Sequence, residues 1–163
     1  MDFLTLAKNR YSCRKWKDIP VEEEKLDRII KAGMLAPTGC NYQPWRAWII
    51  TEDRKAEFKE TAKIRFDAPV YILVGAKKEE AWTREYDDWN IAEIDAAIVA
   101  THMMLEVEDA DLGTVWVGHF DAVSLKEKYD VLKEFSLIGI FPVGYADKGP
   151  SPLHEASRKK EEL

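Results

Sequence analysis

The residues best suited to chemistry in this chain lie in the stretch Arg10-Tyr11-Ser12-Cys13-Arg14-Lys15-Trp16. Two arginines and a serine alternate, so on extended backbone their three side chains face one way. They would form a fork of planar, permanently charged donors with a hydroxyl between them. Such a set suits phosphate oxygens and polarised carbonyls, because a guanidinium donates two parallel hydrogen bonds. Alternating basic residues are also an ordinary solvated surface, and the triplet alone does not choose between the two. A second stretch runs Ala36-Pro37-Thr38-Gly39-Cys40-Asn41-Tyr42-Gln43-Pro44-Trp45. Its Pro-Thr-Gly turn exposes backbone groups, and Asn41 can donate and accept at once. A helix stop followed by a turn would use Pro37 and Gly39 in the same way.

No P-loop, G-x-G-x-x-G, G-x-S-x-G or H-E-x-x-H occurs. The three histidines, His102, His119 and His154, are scattered without ligand spacing, and His102 reads as a core or interface residue. Cys13 and Cys40 form neither a metal spacing nor a disulfide framework and read as small residues in tight loops. No metal site is expected. With no nucleophile, acid–base pair or metal cluster in view, the chemistry must come from a bound cofactor.

The elements that would position these stretches follow from periodicity. Residues 2–8 read as a short helix, and Arg10–Trp16 as extended chain. Glu22, Glu23 and Glu24 load the start of a helix whose Leu26, Ile29, Ile30, Gly33 and Met34 share a face, with Pro37 as its stop. Strands are expected at 46–51, 70–75, 114–119 and 137–145, and helices at 53–64 and 123–132. Residues 76–90, with Trp82, Tyr86 and Trp89, have no clear period and read as a loop or short helix over the site. The longest helix, about 91–109, is apolar on several sides, one of which would meet another subunit. Helices and strands interleave without uniform βαβ units, so the class is α+β, in one domain over 1–163. The tail from Lys148 cannot bury itself in its own subunit and is expected to be disordered or draped over a partner.

The 163 residues, 46% of them hydrophobic, are enough for one real core. A net charge of −6 speaks against nucleic acid and anionic membranes as partners. No apolar run spans a bilayer, and the first residues lack a signal peptide's pattern, so a cytoplasmic location is expected.

Taken together, the two chemical stretches resemble the FMN-dependent nitroreductase family, whose pattern reads roughly R-x-S-x-R and then A-P-S/T-x-x-N-x-Q-P-W. Further pieces follow in order: Asp67-Ala68-Pro69, Leu112-Gly113-Thr114-Val115-Trp116-Val117-Gly118, and Pro142-Val143-Gly144-Tyr145. The resemblance spans essentially the whole chain. It implies a central, mostly antiparallel sheet flanked by helices in an intertwined homodimer, with residues 146–163 packing on the partner. FMN is the implied bound cofactor and NAD(P)H its transient reductant, in a two-step hydride transfer to a nitroaromatic or quinone-like acceptor.

The resemblance also implies roles. Arg10, Tyr11 and Ser12 would bind the flavin and its phosphate, Arg14 would stabilise charge at the flavin N1–C2=O edge, and a C-terminal base, Arg158 or else Lys160, would add to the phosphate site. Pro37, Thr38, Gly39 and Asn41 would reach over the flavin from the opposite subunit. Trp116 and Val117 would border the ring, with Gly118 allowing close backbone approach; a buried strand would explain the first two equally well. Residues 82–89 are candidates for a lid or for interface packing. Other chemistry on the same fold, such as reductive dehalogenation or flavin-consuming reactions, and a slowly turning redox-sensing dimer are the alternatives.

Overall fold

The computed structural model describes residues 2–151 and 154. A four-stranded antiparallel sheet runs in the order β1 (Trp45–Ile50), β2 (Val70–Ala76), β6 (Ser136–Gly144), β5 (Gly113–Thr114). β2 is buried at every position, which is why its sequence is a continuous apolar run. Its period of two divides the core. Val70, Ile72, Val74 and Ala76 join one apolar cluster, and Tyr71 and Leu73 join another on the opposite face.

On the first face lie α2 (Glu23–Met34) and α4 (Ala92–Asp109). Ala92, Ala96, Val99, Ala100, Met103 and Val107 form the buried stripe of α4. Gly33 lets α2 approach closely, since a Cβ there would strike Met103 and come within 3.2 Å of Val99. Lys25 Nζ donates to Ala110 O at 2.8 Å, satisfying a carbonyl at the end of α4. The side of α4 turned away from the sheet keeps Ile94 44% exposed, and α1 (Phe3–Asn9) leaves Leu4 78% exposed. Among the described residues no helix is long and apolar enough to cross a membrane.

On the second face α3 (Glu52–Thr61) and α5 (Ala122–Lys128) cover Tyr71 and Leu73 through Phe58 and Leu125. Two stretches singled out in the sequence prove to be architectural. The Tyr71 hydroxyl accepts from Ala68 N and donates to Phe66 O, fixing the approach to β2. Pro69 packs on Gly144, where a Cβ would lie 2.6 Å from the proline Cδ.

Two expectations need correction. Residues 76–90 hold a 3-10 turn, Lys78–Glu80, and a small hairpin of β3 (Thr83–Arg84) and β4 (Trp89–Asn90). Its loop is tied by Arg84 to Asp87 at 2.6 Å and by Arg84 stacking over Trp89. The expected 114–119 strand is only Gly113–Thr114, followed by an isolated bridge from Val117 to Ile140. The start of the tail meets the extended N-terminal stretch of its own chain: Asp147 N donates to Lys15 O, the Tyr11 hydroxyl to Lys148 O, and His154 Nε2 meets Lys8 O at 2.8 Å; the rest of the expected partner-packing tail lies outside the described residues.

Candidate functional site

The Arg10–Trp16 stretch is extended, as expected. It runs beside β5: Ser12 bridges Thr114, Cys13 N donates to Thr114 O at 3.0 Å, and Trp16 Nε1 donates to Gly113 O at 2.7 Å. Inward positions Cys13 and Trp16 are buried, while Arg14 is exposed. Among the described residues, Arg14 Nη1 donates only to the nearby Ser12 O at 3.3 Å. Neither Arg10 nor Arg14 forms an ion pair with a carboxylate among the described residues, although Lys15, Arg28, Arg46 and Arg84 all do. The two guanidinium groups therefore retain donors for an anion.

Arg10 lies near the C-terminal end of α4, where its charge bears on Glu108. Burial raises the Glu108 pKa first and foremost, and Arg10 opposes that shift. Burial likewise raises the Tyr11 phenol and the Cys13 thiol, so Cys13 is a protonated core residue.

The second stretch folds as a 3-10 turn, Gly39–Asn41, with Cys40, Asn41 and Gln43 at positive φ of 49°, 57° and 52°. Such left-handed backbone persists in non-glycine residues only where its surroundings fix it. Gln43 does much of this: its N donates to Thr38 Oγ1, its Nε2 to Asn41 Oδ1 at 2.9 Å and to Ala36 O, and its Oε1 accepts from Trp45 Nε1 at 2.7 Å. The N-x-Q-P-W spacing is thus one hydrogen-bonded relay. It engages the Asn41 oxygen and leaves Asn41 Nδ2 as a donor without a partner among the described residues. Pro37 and Asn41 are exposed, and Thr38 and Gly39 are half-buried.

The other anchor is a residue that the sequence reading missed. Asp95 Oδ1 accepts from Gly39 N at 2.9 Å. The signal was available, since Asp95 falls on the stripe of Ala92, Ala96 and Val99, where a carboxyl needs a reason to be buried.

The two stretches do not meet. Gly39 sits at the N-terminal end of α4, on Asp95, and Arg10 at the far end, by Glu108. About 20 Å of helix, at about 1.5 Å per residue, separates those two carboxyls. One tricyclic ring cannot bridge that gap within a single chain.

Of the 116–118 residues, Trp116 turns toward the sheet. Its ring packs edge-on to Phe141 at 4.9 Å, and its Nε1 donates to Ile138 O. It also fills the space beside Gly139, where a Cβ would fall 2.7 Å from Trp116 Nε1. The half-buried indole therefore packs against the core on one side. Val117 is buried by its bridge to Ile140, and beside Gly118 a Cβ would meet nothing within 4 Å. Gly118 borders open space. Arg158 and Lys160 lie outside the described residues. Among those described, no cluster of His, Cys, Asp or Glu could hold a metal ion.

The family model for the nitroreductase family matches residues 7–65 and 57–145. A nitroreductase family protein of Clostridium difficile, known from its crystal structure, superposes with a TM-score of 0.90 at 38% identity, over 98% of this chain and 94% of that one. A candidate nitroreductase of Desulfovibrio desulfuricans, crystallised in complex with FMN, has a TM-score of 0.77 at 25% identity, over 98% and 97%. A candidate NADH dehydrogenase/NAD(P)H nitroreductase of Methanothermobacter thermautotrophicus is 27% identical over 164 residues, which is 92% of this chain and 80% of that protein.

Proposed function

Because the chain belongs to the nitroreductase family, we propose that it is an FMN-dependent oxidoreductase that works as a homodimer with two sites between the subunits. The observation that carries this reading is the separation of its two site stretches to opposite ends of α4, with donors left over on each. A second copy, running the other way across the exposed faces of α4 and α1, brings the Arg10–Arg14 stretch of one chain to the Pro37–Asn41 turn of the other. The exposed Ile94 and Leu4 supply apolar surface for that contact.

The residues present fit FMN. Arg10 and Ser12 offer cationic and hydroxyl donors for its phosphate, Tyr11 lies between them with its own hydroxyl donating to Lys148 O, and Arg14 offers a guanidinium to a polarised carbonyl edge. Asn41 Nδ2 supplies a further donor. The open side of Gly118 admits a ring against backbone. When bound, FMN would take a hydride from NAD(P)H and pass it to a nitroaromatic or quinone-like acceptor. The exposed rings of Tyr86 and Trp89 on the hairpin suit a flat acceptor. No carboxylic acid or histidine stands among these residues, so water or the flavin itself would supply protons. A cytoplasmic location is part of the same reading.

The visible spectrum tests it directly. Purified protein is expected to show flavin bands that bleach when NADH or NADPH is added without oxygen. A colourless protein that also fails to take up added FMN would sink the reading.

A further inference from the structure

We propose that Asp95 is the positioning residue of the flavin site: it holds Gly39, and through Gly39 the Thr38–Asn41 turn, in the form that meets the cofactor. This rests on the function proposed above. Asp95 is fully buried, yet only one of its oxygens is used. Oδ1 accepts from Gly39 N at 2.9 Å, and Oδ2 is buried without a partner among the described residues. A half-satisfied carboxyl on an apolar helix face is costly, and an apolar side chain would suit that face better. The packing gives no reason for an acid here; the loop does.

The turn depends on this contact because its own cap is spent elsewhere. Thr38 occupies the N-cap position but makes no cap bond; its hydroxyl accepts from Gln43 N. The first N–H of the turn is left to Asp95. Gly39 can reach it only by lying tight against the start of α4, where a Cβ would come 3.0 Å from Ile91 Cγ2 and 3.2 Å from Trp82 Cβ. Downstream, Cys40 and Asn41 hold left-handed backbone that relaxes when an anchor is lost. A relaxed turn populates the binding form less, and FMN affinity falls by that fraction.

The experiment compares wild type, Asp95→Asn and Asp95→Leu by three measurements: FMN dissociation constant from fluorescence quenching, thermal midpoint, and amide exchange of the peptide covering the turn in protein stripped of FMN. Asn keeps an oxygen for Gly39 N and is expected to bind FMN within about three-fold of wild type. Leu removes the acceptor. It is expected to exchange faster at the turn and to bind FMN at least about ten-fold more weakly, with the midpoint falling no further than in Asp95→Asn. Asp95→Ala takes its place if the leucine variant does not fold. Wild-type affinity in the leucine or alanine variant overturns the proposal. So does an equal loss of midpoint and affinity in both variants, the mark of a purely structural residue. Wild type that binds no FMN fails before any variant is made and removes the proposed function itself.

Discussion

Cys13 and Gly113 are in such close apposition that a Cβ placed on Gly113 would lie 2.8 Å from both the Cβ and the Sγ of Cys13. The stretch carrying Arg10, Ser12 and Arg14 is seated on β5 through the Cys13 side chain, which occupies the space a side chain at 113 would need. Gly113→Ala is expected to destabilise the protein by about 1–3 kcal/mol through overpacking. It should also weaken FMN binding, because the stretch must shift to make room. Thermal denaturation and FMN titration check both; a variant unchanged in both would show that the strand yields freely.

The relay centred on Gln43 gives a second prediction. Gln43→Leu strands Trp45 Nε1 and Ala36 O and frees Asn41, each of which now has Gln43 as a partner. Leaving such groups unpaired costs about 1–3 kcal/mol. The thermal midpoint and FMN affinity should both fall, and retention of both would remove the relay as the support of the turn.

If each site draws on two chains, defects in the two stretches should complement. Co-expression of Arg14→Ala with Gln43→Leu produces mixed dimers in which one site carries both defects and the other none. With random pairing, about a quarter of wild-type NAD(P)H oxidation should return. A site contained in one chain would give no recovery.

Among the described residues, the Arg14 guanidinium is committed only to the Ser12 carbonyl. Removing a donor aimed at developing charge costs roughly 10²-fold in rate. Arg14→Ala should slow bleaching of bound flavin by NAD(P)H by that factor in anaerobic stopped flow. A normal rate with FMN still bound would take Arg14 out of the mechanism.

Asp121 supplies a pH dependence. It accepts from Lys63 Nζ and, as the cap of α5, from Ser124 N. Lys63 chiefly, then Ser124, lowers its pKa from 3.8 to about 2. A carboxyl whose pKa is depressed by folding stabilises the fold above its unfolded value and loses that contribution as pH falls toward its folded one. Asp121→Asn should therefore melt below wild type at neutral pH, and the two curves should converge between pH 3.8 and about 2. A gap that stays constant through that window would show that the Asp121 charge is not the source of the stabilisation.

Much of this molecule was legible in its residues because the determinants are local. Alternation of Arg10, Ser12 and Arg14 sets an extended stretch whether or not it binds anything, and the unbroken apolar run of β2 demands cover on both faces. The long helix, the Pro37 stop and the turn after it follow from spacing and from backbone restriction. The family pattern was likewise written in short motifs. Tertiary structure decided the rest, because it depends on residues distant in sequence. The Trp116 indole faces the sheet only because Gly139 leaves a gap for it. Gln43 becomes a relay only where the chain turns through left-handed backbone. Asp95 gains its role from a glycine far upstream, and the two chemical stretches prove to stand at opposite ends of one helix. Periodicity can say which side of an element is buried; which group meets it there is fixed only when the elements pack.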